Sequence, residues 1–183
     1  MKTTFSALGI ALAAALAGTS AFANTGTINF EGKITSSTCP IEVVNPGDGA
    51  IGSQVKMGSV DASRFTAVGQ EYSGKTFVLR LNDKGNCNLT GTDDFAKVTF
   101  NGATDTSGDY FGVASSTDGA KGVAIVIKDN KGSPIKPGEE SAPYKLIAGG
   151  VTDMIFNAYY RSTATTPTAG AASADVQFVV AIN

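Results

Sequence analysis

The residues of this 183-residue chain that could do chemistry are few: two cysteines, scattered carboxylates and no histidine. Cys39 and Cys87 lie 48 positions apart, and two cysteines in one domain of an oxidising compartment most often form a disulfide. In the chain-entropy model, closing a loop of this length is worth about 4 kcal/mol of folding free energy. A metal-binding cysteine pair and a reactive thiol stay open as alternatives, although the sequence has neither His nor a CxxC motif.

The missing histidine argues against an enzyme. Without it, a Ser-His-Asp or Cys-His arrangement is impossible, and so is a zinc site that needs imidazole. The pairs Asp93-Asp94 and Glu139-Glu140 could serve glycoside chemistry, but both lie in polar, loop-like sequence, and neighbours on a strand point to opposite faces. We therefore expect solvated surface carboxylates, no catalytic residue, no cofactor and no metal.

The first 23 residues predict export. A basic start at Met1-Lys2, an apolar run from Ala7 to Leu16 and a small-residue site at Ala21-Phe22-Ala23 are typical of a secretory signal peptide that is cleaved after Ala23. The alternative is a membrane anchor, but spanning a bilayer takes roughly 20 apolar residues and this run is too short. We expect an exported, soluble mature chain with no membrane insertion.

The mature part, residues 24–183, is mildly acidic. It carries 13 Lys and Arg against 16 Asp and Glu, a net charge of −3, and its 160 residues suffice for one domain with a core but are short for two. A chain of this charge without a basic cluster offers no electrostatic surface for nucleic acid or anionic lipid. Nucleic-acid binding is therefore excluded as its function.

The elements that must position these residues are β-strands. Short β-branched or aromatic runs alternate with Gly, Asn, Asp and Ser, and the sequence lacks a helical period of useful length. A turn at Asp129-Asn130-Lys131-Gly132 predicts a hairpin, and Pro134 marks Ser133–Lys136 as an edge or a loop. Seven or eight short strands with one disulfide indicate an all-β, immunoglobulin-like sandwich. The predicted strands are Thr27–Thr35, Ile41–Val44, Gln54–Val60, Thr76–Asn82, Ala96–Asn101, Val123–Lys128, Thr152–Ser162 and Ala174–Ile182.

The last predicted strand has an apolar face with nothing after it in the sequence to cover it. A period of two places five apolar side chains on this face. The printed sequence stops one residue beyond the strand, at Asn183. We therefore expect the sandwich to lack the strand that would normally close its core on this side. The five residues are Ala174, Val176, Phe178, Val180 and Ile182.

A second apolar face follows the predicted cleavage site. Ile28, Phe30, Gly32 and Ile34 alternate with polar residues, and full burial of each large side chain is worth very roughly 1.5–3 kcal/mol. The segment could fill the gap in its own domain or serve as a free arm. The pattern alone favours the first alternative, because most terminal strands pair within their own chain.

From the cleavage site to its end, the chain resembles the single-domain pilins of chaperone–usher fimbriae, of the type 1 and P kinds. Gly170 is the fourteenth residue counted back from Asn183, the spacing that this family uses. Ile182 departs from the family's usual penultimate Tyr, and the segment Asn82–Asn86 is longer than usual, so we expect a surface loop there. The matching pieces, in chain order, are Gly26-Thr27-Ile28-Asn29-Phe30-Glu31-Gly32-Lys33-Ile34 before Cys39, Phe77-Val78-Leu79-Arg80-Leu81 before Cys87, Gly122-Val123-Ala124-Ile125-Val126-Ile127 with Asp129-Asn130-Lys131-Gly132, Phe156-Asn157-Ala158-Tyr159-Tyr160, and Thr168-Ala169-Gly170 ahead of the terminal strand.

The resemblance implies an incomplete immunoglobulin-like sandwich that is completed by a donor strand. In the family, a periplasmic chaperone fills the groove until the arm of the next subunit replaces it at the outer-membrane usher. Residues 24–35 would be that arm and residues 36–183 the pilin domain. The donor side chains would be Ile28, Phe30, Gly32 and Ile34. The acceptor and chaperone-binding side would include Gly170, Val176, Phe178, Val180 and Ile182.

The resemblance thus implies a structural subunit of a surface fimbria that supports cell adhesion. It would pass through the periplasm, and its partners would be further copies of itself, head to tail, with the chaperone and the usher. The compact, Gly- and Ala-rich chain favours the repeating shaft subunit, while a minor adaptor near the fibre tip stays open. A carbohydrate-binding module is a weaker alternative, because 160 residues leave no room for a separate lectin domain. Its stacking platform would have to come from Tyr72, Tyr110, Tyr144, Tyr159 and Tyr160.

Overall fold

The computed structural model describes residues 39–45, 51–83, 87, 89 and 94–183. These residues form nine strands and one 3-10 helix of three residues, Ala62–Arg64. The strands are β1 (Ile41–Val44), β2 (Glu71–Asn82), β3 (Phe95–Gly102), β4 (Phe111–Gly112), β5 (Val123–Lys128), β6 (Pro134–Ile135), β7 (Tyr144–Lys145), β8 (Val151–Ser162) and β9 (Val176–Ile182).

The strands form two sheets whose ladders are all antiparallel. The larger sheet has the order β1-β2-β8-β5-β4, with β6 also paired to β5, and the smaller one has the order β7-β3-β9. The burial of side chains differs between the strands of the larger sheet. The central strand β8 alternates exposed and buried side chains along its first six residues, as expected for a sheet with one face on the core. In β5, four consecutive residues from Ala124 to Ile127 are buried.

Aromatic side chains join the two sheets. Phe77 of β2 and Phe156 of β8 stack with their ring centroids 5.5 Å apart. Phe100 of β3, in the other sheet, meets Phe156 edge-on at 5.0 Å and Phe77 at 6.1 Å. Such edge-to-face pairs are favourable beyond the area they bury, so this trio fixes how the sheets face each other. The all-β sandwich predicted from the sequence is confirmed.

The predicted strand at Gln54–Val60 is wrong. These residues have no strand or turn assignment, although Val55, Met57 and Val60 are half-buried against the core. Gly58 has a φ of 75°, which interrupts an extended strand. The strands at Ile41–Val44 and Val123–Lys128 have the predicted bounds.

The other predictions differ mainly at strand ends. Strand β2 begins at Glu71, five residues before the predicted start, and β9 begins at Val176, two residues after it. The predicted hairpin is present, because the Gly132 amide donates to the Asp129 carbonyl at 3.0 Å and β6 pairs with β5. The predicted strand at Thr27–Thr35 lies outside the described residues.

Tyr144 of β7 connects the two sheets through a buried phenol. Its hydroxyl donates to the carbonyl of Ile155 at 2.7 Å and accepts from the Asn130 amide at 3.3 Å. Burial raises the pKa of this phenol to about 12, compared with about 10 for an unperturbed tyrosine.

The Tyr144 phenol predicts a loss of stability at alkaline pH. Between pH 10 and about 12 the unfolded state gives up this proton while the folded state keeps it, so the free energy of unfolding falls as pH rises. A shift of two units amounts to about 3 kcal/mol at most. Denaturant unfolding from pH 8 to 12 checks this. Tyr144→Phe, which cannot titrate, is expected to decline less steeply over the same range, and equal slopes for both chains would contradict the assignment.

Candidate functional site

The inner face of β9 is only partly covered. Side chains along this strand alternate between half-buried and exposed over all seven residues, so the predicted period of two is confirmed. The half-buried ones pack against the core, and Val179 on the other face is 39% exposed. The half-buried residues are Val176, Phe178, Val180 and Ile182.

The neighbouring strand shows why β9 is open. On β3, Ala96, Val98 and Phe100 are 0%, 0% and 2% exposed. They pair directly with three residues of β9, namely Ile182, Val180 and Phe178. Directly paired residues share a face of the sheet. Side chains on that face are therefore fully buried on β3 and only half-buried on the adjacent strand β9. The inward side chains of β9 therefore lie at a partly exposed border of the core.

The backbone of β9 is paired along one edge within the described ranges. Among the described residues it pairs only with β3, up to Asn183, which exchanges two hydrogen bonds with Phe95 at 2.9 and 3.0 Å. The N–H and C=O groups on the other edge form no ladder with any other strand in the described part of the chain. An open edge beside half-exposed apolar side chains is a template for another strand.

Other half-buried apolar side chains contact the same core. They come from β1, from the irregular segment 53–60 and from the residues that precede β9. We call this border, together with β9, the acceptor groove, after the role proposed for it below. The additional members are Ile41, Val43, Val55, Met57, Val60, Ala172 and Ala174.

A cavity of about 430 Å³ has two members of the acceptor groove, Val60 and Ala172, in its lining. Gly58, Val60, Gly170 and Ala172 contribute to its wall, so the segment 53–60 and the residues before β9 meet there. Tyr160 also lines the cavity, and its hydroxyl donates to the carbonyl of Ala172 at 2.9 Å. Burial raises the pKa of this phenol. This hydrogen bond connects the residues that precede β9 to the central strand β8.

Gly170 is held against another backbone segment. A Cβ on this residue would overlap backbone atoms of Gly119 and Ala120 and lie 2.6 Å from the carbonyl oxygen of Asp118. Two hydrogen bonds hold the segments together: Ala120 N–H to the Ala171 carbonyl at 2.9 Å, and Ala171 N–H to the Asp118 carbonyl at 3.0 Å. Only glycine fits here without moving backbone.

We expect Gly170→Ala to lower the free energy of unfolding by about 1–3 kcal/mol, the usual cost of overpacking. The added methyl must displace the segment 118–120, because the atoms it meets are backbone. Denaturant unfolding measures the change. Gly52→Ala is the matched control, since a Cβ there meets nothing within 4 Å, and it is expected to stay within about 0.5 kcal/mol of the parent. Equal stability of the two variants would contradict the close approach.

The predicted disulfide between Cys39 and Cys87 is present, with 4.8 Å between the Cα atoms. Cys39 stands two residues before β1 and Cys87 five residues after β2. These two strands pair with each other, so the disulfide fastens β1 to the larger sheet at the border of the acceptor groove.

Asp83 stabilises this end of the sandwich, although the sequence around it is typical of a surface loop. One carboxylate oxygen accepts from the Cys87 amide at 3.2 Å, and the other accepts from the Gly149 amide at 3.0 Å. Asp83 is 2% exposed, so the surface loop predicted for Asn82–Asn86 is wrong at this residue. Residues 84–86 lie outside the described part of the chain.

The remaining candidate residues fall into two groups. The predicted donor residues Ile28, Phe30, Gly32 and Ile34 lie outside the described residues, as do the predicted signal peptide and Asp93. Glu139 and Glu140 are exposed, and Glu140 pairs with Lys97 at 2.8 Å. In the described part of the chain, no cluster of His, Cys, Asp and Glu could hold a metal. A search of those same residues also found no helix long and apolar enough to cross a membrane.

Comparison with known proteins identifies the family. The family model described as "Fimbrial protein" matches residues 28–183, which include β9, Gly170 and both cysteines. The chain belongs to the fimbrial protein family. Fimbrial proteins are structural subunits of surface fimbriae, so this member is a fimbrial subunit and not an enzyme.

Two relatives illustrate the similarity in sequence. The chain is 34% identical to "Uncharacterized fimbrial-like protein SfmA" of Escherichia coli K12, with 98% of each chain covered. It is also 34% identical to "Probable major fimbrial subunit LpfA" of Escherichia coli O157:H7, covering 84% of this chain and 81% of the relative.

A solved structure supports the fold. The P pilus rod subunit PapA matches with a TM-score of 0.61 at 20% sequence identity, covering 80% of this chain and 99% of that one. The fold of this fimbrial protein is thus the incomplete immunoglobulin-like sandwich of chaperone–usher pilins, as predicted.

Proposed function

We propose that this fimbrial protein polymerises by donor-strand exchange, in which residues 24–35 of one copy fill the acceptor groove of the next. The observation that carries the proposal is β9, whose inner side chains are only half-buried and whose backbone pairs, among the described residues, with β3 on one edge alone. A strand laid along β9 would pair that edge and cover Val176, Phe178, Val180 and Ile182. The arm has the matching pattern, with apolar residues at every second position.

The two surfaces differ, and this sets the geometry of assembly. The donor is an arm near the N-terminus of the mature chain, and the acceptor is the border around β9. Such a contact is head-to-tail and does not close on itself, so repeating it produces a filament. Gly32 would stand where the groove has no room for a side chain, since a strand glycine often marks close approach.

The proposed leader and the proposed groove together set the route of export and folding. The proposed leader, residues 1–23, directs the chain to the periplasm, where the disulfide can form. An uncovered apolar border would aggregate there, so a chaperone is proposed to lend a strand until the usher exchanges it for the next subunit's arm. The mature fibre stands on the cell surface and supports adhesion.

We favour the shaft subunit over a minor adaptor at the tip. The relative LpfA bears the name of a probable major subunit, and the chain is small and rich in Gly and Ala. The number of copies in sheared fibres separates the two roles: the shaft subunit must dominate the preparation, and an adaptor must be scarce.

The test is a denaturing gel of sheared surface material. Unheated samples are expected to give a high-mass ladder, because a buried donor strand joins each subunit to the next and resists detergent. Boiling in acid or strong denaturant collapses the ladder to one band. A single monomer band in the unheated sample, from cells that export the protein, would overturn the proposal.

A further inference from the structure

Strand β2 contains a bulge with an unusual residue in it. Tyr72 pairs with Tyr160 and Lys75 pairs with Ala158, so β2 has one more residue than β8 between these pairs. Ser73 in the bulge has a φ of 59° and is the one non-glycine residue with positive φ in the described part of the chain. That conformation is disfavoured for a residue with a Cβ, so something around Ser73 must hold it.

Two contacts hold the bulge in place. The Ser73 hydroxyl donates to the carbonyl of Met57 at 2.5 Å. Next to it, a Cβ on Gly74 would overlap the ring of Tyr159 on β8, so glycine lets the two strands approach here. The bulge thus directs the Ser73 side chain to the irregular segment 53–60.

Apart from the packing of Val55, Met57 and Val60 on the core, few hydrogen bonds fix that segment. Among the described residues, no backbone–backbone hydrogen bond joins 53–60 to the rest of the chain. Its backbone accepts two side-chain hydrogen bonds, from Ser73 at Met57 and from the Asn45 amide at Gln54, at 2.7 Å. Immediately after Met57, Gly58 and Ser59 line the cavity that Gly170 also lines.

We infer that Ser73 is a positioning residue of the acceptor groove. Its hydrogen bond to the Met57 carbonyl holds segment 53–60 in place, so that this segment forms the wall of the groove that faces Gly170. The inference rests on the proposed function and deepens it. The groove needs a preformed wall on this side, because a loose segment would have to be ordered when the donor strand binds. The Ser73 hydroxyl supplies this order in advance.

The test compares Ser73→Gly with the parent chain, both also carrying Phe30→Arg so that no arm fills a neighbour's groove, and it uses a fluorescent peptide of residues 24–35. Glycine tolerates the positive φ and removes the hydroxyl, so the variant is expected to unfold at the same or higher denaturant concentration. Its peptide affinity is expected to fall about threefold to tenfold, the worth of one hydrogen bond. Trypsin is expected to cut faster after Lys56, which is exposed and lies in the segment.

A fall in peptide affinity without a fall in stability separates positioning from a general structural role. Ser133→Gly, in the exposed β5–β6 hairpin, is the matched control and is expected to bind like the parent. If Ser73→Gly binds the peptide and resists trypsin like the parent, the inference is wrong while the proposed function stands. If the parent chain fails to take up the peptide at all, the proposed function itself falls.

Discussion

Cells producing Phe30→Arg in place of the parent chain are expected to lose long fibres from their surface. Phe30 is the largest apolar side chain of the proposed arm, and its burial in the acceptor groove is worth very roughly 1.5–3 kcal/mol. Arginine removes that gain and brings an unpaired charge into an apolar groove, which costs more. Together these effects are expected to weaken each joint by more than a hundredfold. Electron microscopy of negatively stained cells measures fibre number and length.

Asn29→Arg is the matched control for this experiment. It places the same charge one residue earlier, on the opposite face of the extended arm. Fibres are expected to form at close to the parent's number and length. Long fibres from Phe30→Arg cells would refute the donor assignment, and loss of fibres from both variants would show that charge anywhere in the arm is harmful.

The strands that the sequence predicts best are those whose pattern directly reports burial. Strand β9 alternates because one face packs on the core and the other is exposed, and period two expresses this in the residue types. Strand β5 is equally plain, since a continuous apolar run is typical of a strand buried on both faces. The half-buried inner face of β9 was therefore predictable from the alternating apolar residues at the end of the sequence.

The segment 53–60 shows the limit of that reasoning. Its alternation is real, because Val55 and Met57 are half-buried and Lys56 between them is exposed. Alternation reports which way side chains face, and it does not report whether a neighbouring strand supplies hydrogen bonds. Since a ladder is a property of two segments, the pattern of one segment could not decide it.

Two other features depend on contacts distant in sequence. The first five residues of β2 include Ser73-Gly74, which looks like a turn in the sequence, yet the pairing with β8 continues through the bulge. Asp83 lies in a polar stretch typical of a surface loop, yet its carboxylate binds the amides of Cys87 and Gly149. Burial of that kind is set by tertiary packing, which local composition does not encode.

Val180→Arg is expected to give a chain that can donate its arm and cannot accept one. Val180 faces the core from the open border, half-buried and paired with the fully buried Val98, so an arginine there occupies the space of the incoming strand. Alone, the variant is expected to form no fibres, as judged by electron microscopy. Val179→Arg makes the same substitution on the neighbouring, 39% exposed residue of the opposite face, and it is expected to assemble.

Mixing the two defective chains tests the head-to-tail joint itself. Phe30→Arg keeps an intact groove and Val180→Arg keeps an intact arm, so one joint can form between them and no second joint can follow. An equimolar mixture is therefore expected to stop at pairs, visible as a dimer band in unheated gels and as a two-subunit mass in light scattering. Each variant's circular dichroism spectrum verifies that it is folded. Long fibres from the mixture, or a failure of two folded variants to pair, would contradict the assignment of donor and acceptor to different surfaces, because only distinct surfaces leave one working joint in such a pair.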